Sequence, residues 1–121
     1  MKHILIVEDD PFIIELYSGQ LKKNGYKVSV AKDGVMALEK IAEAIPDLLI
    51  LDINLPKMNG WDVLKKIRED AKTKDLRVII LSNNNEEECR EDIAACNVMK
   101  YFVKVQTTTE DISAYVESVF K

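Results

Sequence analysis

The chain has 121 residues, 47% of them hydrophobic and 31% charged, and we expect residues 1–121 to form one globular domain with a substantial core. Its formal net charge of −4, with no run of lysine or arginine, argues against direct nucleic-acid binding. No apolar run approaches the roughly 18 residues that a membrane span needs, so we expect a cytoplasmic protein without membrane contact.

The first predicted strand and helix lie within the first 25 residues. The apolar run Ile4–Val7 predicts a buried strand, and the acidic triplet Glu8-Asp9-Asp10 follows it directly. Pro11 suits the first position of a helix, with Asp10 as its N-cap. Asn24-Gly25 predicts the end of this helix. Its apolar stripe, which we expect to face the core, consists of Ile14, Tyr17 and Leu21.

The second predicted strand differs from the first, because polar and apolar residues alternate in Lys27-Val28-Ser29-Val30. This alternation is typical of an edge strand rather than a central one. Asp33-Gly34 then begins a second helix, and Pro46 ends it. The residues that we expect on the buried face of this helix are Leu38, Ile41, Ala42 and Ile45.

The third predicted strand, Leu48–Leu51, carries a carboxylate at its end. Four consecutive apolar residues indicate a strand that is buried on both faces, at the centre of a parallel sheet. Asp52 therefore lies at the edge where open α/β sheets bind ligands, and it needs a partner because a desolvated charge is costly. A loop rich in helix-breaking residues follows, and Gly60-Trp61 begins a third helix. The inward residues of that helix are predicted to be Leu64 and Ile67.

The remaining third of the chain contains two further strands, each followed by a helix. Val78–Leu81 predicts a buried strand ending at Ser82, and Tyr101-Phe102-Val103 predicts a fifth strand ending at Lys104. The segment Thr107–Glu110 predicts a capping box before a last helix. The apolar positions of that helix are Ile112, Tyr115, Val116, Val119 and Phe120.

Both cysteines fall on the fourth predicted helix, which spans about Glu86 to Cys96 and stops at Asn97. On one helix Cys89 and Cys96 would lie roughly 10 Å apart, too far for a disulfide. We therefore expect two reduced thiols that face the core together with Ile93.

Five strands that alternate with five helices predict an α/β fold, with a parallel sheet covered by helices on both faces. The expected architecture is a doubly wound, flavodoxin-like five-stranded parallel sheet in the order 2-1-3-4-5. Strands one and three would be neighbours in this order, and the alternating second strand would lie at an edge.

Polar residues at the carboxyl ends of four strands would meet at one edge of this sheet: Glu8, Asp9, Asp52, Ser82 and Lys104. Each residue alone could be a cap or a solvated charge, but their joint occurrence favours a functional site. Three close carboxylates cannot all remain ionised without a cation, and Mg²⁺ prefers such oxygen ligands. A carboxylate beside Mg²⁺, an ammonium group and a hydroxyl is suited to attacking a phosphoryl group.

The motifs that carry these residues resemble the receiver domains of bacterial two-component response regulators, in particular single-domain chemotaxis-type regulators. They are Val7–Pro11, Leu51–Pro56 with Gly60, Leu81-Ser82 and Tyr101–Lys104. The resemblance covers the whole chain in order and spacing. It implies a phosphorylation-switched signalling domain rather than an enzyme acting on other substrates. In that family the acceptor aspartate receives its phosphoryl group from the phosphohistidine of a histidine kinase or phosphotransfer protein.

Roles for individual residues also follow from the resemblance. Asp52 would be the phospho-acceptor, assisted by Lys104 and by the hydroxyl of Ser82, which would act as a switch together with Tyr101. The Mg²⁺ site would be formed by the acidic pair with the acceptor and one backbone carbonyl, namely by Glu8, Asp9, Asp52 and Asn54. The surface of helix four, strand five and helix five would contact a downstream target protein or effector domain.

The sequence departs from the family pattern in three places. Val105 stands where receivers usually have a proline after a cis peptide bond, and a cis bond before a residue such as valine costs roughly 2.5–4 kcal/mol. We therefore expect a trans bond, with the long Lys104 side chain still reaching Asp52. Asn83 stands where a small residue is usual and would crowd the entrance for phosphate. Asn97-Val98 replaces the usual Gly-Ala, which is harmless because asparagine also ends helices.

Three other functions are compatible with the predicted fold. A flavodoxin-type cofactor binder would need a phosphate-cradling loop where Glu8-Asp9-Asp10 stands, and these acids would repel a phosphate. A haloacid-dehalogenase-like phosphatase would carry a second aspartate at the position of Asn54. A pseudo-receiver, which is not phosphorylated and acts as a protein interaction module, would normally have lost an acid or the lysine. The receiver interpretation fits best, and the pseudo-receiver is the alternative.

Overall fold

Five parallel strands form the centre of the structure, a computed structural model that describes all residues from Met1 to Lys121. The strands are β1 (His3–Val7), β2 (Lys27–Ala31), β3 (Leu48–Leu51), β4 (Val78–Ser82) and β5 (Lys100–Val103). They pair in the order β2-β1-β3-β4-β5, so the predicted order is confirmed and β2 lies at an edge. Val7 of β1 lies opposite Leu51 of β3, which makes the residues after these two strands neighbours.

Helices cover both faces of this sheet. They are α1 (Pro11–Lys23), α2 (Gly34–Glu43), α3 (Gly60–Glu69), α4 (Arg90–Cys96) and α5 (Thr109–Val119). Two short 3-10 turns, Glu87–Cys89 and Lys104–Gln106, precede α4 and follow β5. None of these helices combines the length and apolar character that crossing a bilayer requires.

The core is divided by the sheet into two layers, and the strand alternation explains the division. Leu5 of β1 packs in the layer that contains α2, α3 and α4, whereas its neighbour Ile4 packs in the layer that contains α1 and α5. All four residues of β3 are buried, as expected for a central strand. Burying each such side chain contributes about 1.5–3 kcal/mol to folding, so the strand that carries the central carboxylate is firmly held.

Side-chain caps fix the starts of the helices that follow the first two strands. Asp10 Oδ1 accepts the Phe12 N–H at 2.9 Å and Asp33 Oδ1 accepts the Met36 N–H at 2.7 Å, so both predicted starts are confirmed. Asn97 ends α4 with φ of 54°, the left-handed conformation that asparagine tolerates. Both cysteines are buried free thiols, as predicted.

The predicted buried face of α2 is partly wrong. Ile45 is 48% exposed, because α2 ends at Glu43 and the chain is extended at Ala44. Ala42 lies within the helix and is also exposed. An extended residue interrupts the helical periodicity that was used to place Ile45 on the inner face. The residues of α2 that are buried are Gly34, Ala37 and Ile41.

Two helix starts also differ from the prediction. The capping box of α5 is formed by Thr108 and Asp111, one residue later than predicted. The Thr107 hydroxyl instead donates to the Val103 carbonyl of β5 at 2.7 Å. The regular part of α4 begins at Arg90 rather than near Glu86, since the preceding residues form the tighter 3-10 turn.

Candidate functional site

Glu8 is the buried acid that follows β1. Its Oε2 accepts the N–H groups of Asp9 at 3.0 Å and Asp10 at 3.2 Å, so the turn into α1 fixes the side chain. Its own N–H donates to the Ala31 carbonyl of β2 at 3.0 Å. Burial raises the pKa of Glu8 despite the neighbouring Lys104, and the charge of Asp52 raises that pKa further.

Lys104, after β5, is paired with two acids at once. Its Nζ lies 2.5 Å from Glu8 Oε1 and 3.0 Å from Asp52 Oδ2. Glu8 Oε1 is fully buried and has no aligned hydrogen bond, so the close ion pair with the ammonium is its only compensation. Burial by itself lowers the pKa of Lys104, but the two carboxylates outweigh burial and raise that pKa. The peptide bond to Val105 is trans, as expected.

Asp52 is buried at the end of β3 and held through its backbone. Its N–H donates to the Val7 carbonyl at 3.0 Å, which extends the pairing of β1 with β3 by one residue. The start of α3 presses on this backbone, because a Cβ at Gly60 would lie 2.4 Å from the Asp52 carbonyl oxygen. Of the two carboxylate oxygens, Oδ2 is paired with Lys104, whereas Oδ1 accepts only a long 3.3 Å hydrogen bond from Asn54 N–H.

Three carboxylates meet at this edge of the sheet. Glu8, Asp9 and Asp52 each offer an oxygen atom within 4.8 Å of the other two, and Asp9 alone is exposed. One ammonium faces three acids, so two negative charges remain when all are ionised. The available ligand atoms are all oxygens, they carry excess negative charge, and Asp9 is open to solvent. These properties fit a hard divalent cation such as Mg²⁺.

Asn84 connects the other predicted site residues. Its N–H donates to Ser82 Oγ at 3.2 Å, its carbonyl accepts the Tyr101 hydroxyl at 2.8 Å, and its Oδ1 accepts Asn54 Nδ2 at 3.1 Å. Ser82 and Tyr101 are both buried. Burial raises the pKa of Tyr101. Asn84 was not predicted from the sequence, because it stands in a run of three asparagines with the same hydrogen-bonding capacity.

The loop from Ile53 to Asn59 is anchored at the start of α2, which the sequence analysis also missed. Lys57 adopts a left-handed conformation with φ of 66°, and its Nζ lies 3.6 Å from Asp33 Oδ2. Gly34 allows the close approach, because a Cβ there would lie 2.4 Å from the Met58 carbonyl oxygen. The signal for this contact was the Asp33-Gly34 pair, which was interpreted only as a helix start.

The predicted acids and lysine are therefore brought together, while Ser82 and Tyr101 are linked to the site through the β4–α4 loop. Of the two carboxylate oxygens of Asp52, Oδ1 has the weaker compensation by protein donors. Such an oxygen can act as a nucleophile toward an electrophile whose negative charges are neutralised by the ammonium group and a cation. The side-chain amide nitrogen of Asn54 donates to Asn84 Oδ1, and the predicted metal-binding role of Asn54 concerns its backbone carbonyl.

Comparisons with known proteins agree with this geometry. Residues 4–117 match the family described as response regulator receiver domain. The chain is 28% identical to the chemotaxis protein CheY4 of Vibrio cholerae, with a TM-score of 0.90 and 98% of each chain covered. It is 28% identical to the phosphorylated cyanobacterial phytochrome response regulator RcpA, with a TM-score of 0.82 and 98% and 90% of the two chains covered.

Part of the chain also matches a longer relative in sequence. The DNA-binding dual master transcriptional regulator RpaA of Synechocystis is 40% identical over 82 residues, which are 68% of this chain and 34% of RpaA. The chain thus spans about a third of the length of the curated relatives that it matches.

Proposed function

The chain belongs to the family of response regulator receiver domains, and on that premise we propose that Asp52 is its phospho-acceptor. Receiver domains are phospho-accepting signalling domains of two-component systems rather than classical enzymes. The observation that supports Asp52 is its position at the end of the central strand, 3.0 Å from the Lys104 ammonium and within 4.8 Å of the Glu8 and Asp9 oxygens.

The proposed reaction transfers a phosphoryl group from a histidine kinase or a phosphotransfer protein. An Asp52 carboxylate oxygen forms a bond to phosphorus while the phosphorus–nitrogen bond of the phosphohistidine breaks, and the leaving imidazole nitrogen is left to take up a proton. The product is an acyl phosphate on Asp52. Lys104 moves its ammonium from Asp52 Oδ2 to a phosphoryl oxygen, and the Ser82 hydroxyl donates to another.

Receiver domains bind Mg²⁺ at an acidic pocket, and the three clustered carboxylates here fit that ion. The residues proposed to hold it are Glu8, Asp9, Asp52 and the backbone carbonyl of Asn54. When bound, the ion neutralises negative charge on the phosphoryl oxygens. In the present arrangement, Glu8 also keeps Lys104 directed into the site. The reason is that the buried Glu8 Oε1 atom has the Lys104 ammonium as its only partner.

We further propose that phosphorylation in the cytoplasm changes the surface formed by α4, β5 and α5, with Ser82 and Tyr101 as the switch. This surface contains a groove of about 600 Å³. Aromatic side chains supply much of its lining: Tyr101, Phe102 and Tyr115. A downstream target protein or an effector domain would bind there, and the residues from 1 to 121 would act as one receiver domain.

Phosphate uptake tests the proposal directly. Acetyl phosphate with Mg²⁺ should add the mass of one phosphoryl group to the wild type and none to Asp52→Asn, as measured by intact mass spectrometry. Asp62→Asn, which removes an exposed acid from the first turn of α3, is the matched control and should be modified normally. Acid-labile phosphate on Asp52→Asn would refute the assignment, and a wild type without uptake would favour the pseudo-receiver.

Removal of one carboxylate tests the metal site. Mg²⁺ should bind weakly without phosphate, because few protein ligands are available, and Asp9→Ala should lower the affinity by at least about tenfold. Titration calorimetry with Asp10→Ala as control separates a specific ligand from general electrostatics, since Asp10 has the same charge and lies next in the chain. Equal affinities of Asp9→Ala and wild type would contradict the proposed site.

A further inference from the structure

The Tyr101 hydroxyl contacts the Asn84 carbonyl and the Cys89 thiol, and only one of these two groups can receive its proton. The hydroxyl donates to the Asn84 carbonyl at 2.8 Å, which uses its single hydrogen. Cys89 Sγ lies 3.6 Å from the same oxygen. Because the phenol has no second hydrogen, the thiol of Cys89 must be the donor in this second contact. Tyr101 is therefore held from two sides, by a carbonyl of the β4–α4 loop and by a thiol of the following 3-10 turn.

The position of Cys89 in the chain explains why its thiol is directed toward Tyr101. Cys89 is the last residue of the 3-10 turn and directly precedes α4, where a side-chain oxygen would usually cap the helix. No side chain caps α4. A serine or aspartate here would be drawn to the free N–H groups of α4, whereas the weakly polar thiol remains buried against Tyr101.

We propose that Cys89 is a positioning residue for the switch, whose thiol holds Tyr101 in the buried orientation and couples that orientation to the start of α4. This inference rests on the proposed role of Tyr101. The coupling begins at Ser82, whose Oγ accepts Asn84 N–H at 3.2 Å while the carbonyl of Asn84 accepts Tyr101. A movement of Ser82 therefore reaches Tyr101 through one residue, and Cys89 opposes release of the ring.

Solvent exposure of the Tyr101 ring gives the first test. In protein labelled with ¹³C-tyrosine, broadening of the Tyr101 signal by a soluble paramagnetic chelate reports the exposed population, and Tyr101→Phe assigns the signal. Loss of a single net hydrogen bond should raise this broadening about two- to tenfold in Cys89→Ala, without phosphate. Cys89→Val retains apolar volume but lacks the donor, and it should give the same increase.

Controls separate the hydrogen bond from packing. Cys96→Ala removes the other buried thiol of the same segment and should leave the Tyr101 broadening unchanged. Tyr26 and Tyr115, both half-buried, serve as internal references in every spectrum. An increase in Cys89→Ala that is absent from Cys89→Val would assign the effect to packing and overturn the inference, as would no increase in either variant.

Infrared spectroscopy tests the donor directly and needs no substitution of Cys89. In a Cys96→Ala background, the single remaining S–H stretching band should move to higher frequency when Tyr101→Phe removes the acceptor. An unchanged band would overturn the inference.

Phosphate uptake from acetyl phosphate, measured by mass in the same proteins, judges the proposed function separately. A wild type without uptake would refute the role of Asp52, whereas the exposure and infrared results, obtained without phosphate, would still decide the role of Cys89.

Discussion

At the scale of single residues, Lys104 determines whether the acids of the site can be buried as ions. Its side chain is 15% exposed, and those of Glu8 and Asp52 are more deeply buried. Removing one partner of a buried ion pair leaves a buried charge without compensation. This commonly costs about 3–5 kcal/mol of folding stability. The same ammonium that permits burial of the acids is the one proposed to neutralise the incoming phosphoryl group.

We predict that Lys104→Met lowers the free energy of unfolding by about 3 kcal/mol at pH 7 and strongly reduces phosphate uptake. Urea denaturation and mass spectrometry measure the two effects. Lys57→Met removes an ammonium that is 68% exposed and 3.6 Å from Asp33, so its effect on unfolding should stay below about 1 kcal/mol.

The loss of stability in Lys104→Met should depend on pH with a defined sign. Burial already raises the pKa of Glu8 above its ordinary 4.5, and removal of the ammonium raises it further. A protonated Glu8 needs no partner, so the difference from wild type should shrink as the pH falls toward 4.5 and grow as it rises. A difference that grows on acidification would contradict this account of the site.

At the scale of elements, glycine sets the distance between α3 and the strand that carries Asp52. Gly60 allows the first turn of α3 to contact the Asp52 carbonyl, and its N–H donates to the Ile53 carbonyl at 2.8 Å. Any side chain at this position forces either the helix or the backbone of Asp52 and Ile53 to move. The element that covers the core on this side is therefore also the one that places the acceptor.

We predict that Gly60→Ala lowers the free energy of unfolding by about 1–3 kcal/mol, because the new Cβ would lie 2.4 Å from the Asp52 carbonyl oxygen. Urea denaturation measures the loss, and phosphate uptake should fall with it. Gly19→Ala on α1 is the matched control, since nothing lies within 4 Å of its new Cβ. That substitution should instead stabilise the protein by about 0.5–1 kcal/mol. Equal effects of the two substitutions would refute the steric explanation.

The strands and the positions of the acids could be predicted from sequence, because parallel strands align their carboxyl ends whatever the details of packing. Helix registers were less predictable. Ile45 was assigned to a buried face by periodicity, but one extended residue at position 44 ends that periodicity. Thr107 and Thr108 have equal capping propensity, and only the contact of Thr107 with Val103 decides between them.

The role of Asn84 was beyond sequence reasoning for a similar reason. It lies in a run of three asparagines, each capable of the same hydrogen bonds, and only the path of the loop selects the middle one. The trans peptide bond between Lys104 and Val105 could be predicted, because the energetic preference for trans before a non-proline residue is local and large.

At the scale of the whole molecule, the neighbouring strands β4 and β5 connect the acid edge of the sheet with the surface of α4, β5 and α5. Ser82 is the last residue of β4, and Tyr101 lies in the adjacent strand β5. Asn84 of the β4–α4 loop hydrogen-bonds to both residues. Both side chains are already buried, so a response needs only a change in the populations of alternative arrangements, not a new fold.

We predict that beryllofluoride with Mg²⁺ changes the amide NMR shifts of the wild type around both Asp52 and Tyr101. The reason is that a group bound to Asp52 attracts the Ser82 hydroxyl and so alters the hydrogen bonds of Asn84. Asp52→Asn, which lacks the acceptor carboxylate, should show neither set of changes. Changes confined to the loop after Asp52, with none near Tyr101, would contradict the proposed communication.

Lys104 follows the last strand of the chain, whereas the acids that it neutralises follow the first and third strands. During synthesis on a ribosome, the segment that carries Glu8 and Asp52 is therefore complete before the lysine has been added. Until β5 docks against β4, neither carboxylate has its counter-charge, and burial of an unpaired charge is strongly unfavourable. A sheet that formed before β5 docked would therefore keep these acids hydrated or protonated, and its carboxyl edge would close only when the final strand is added.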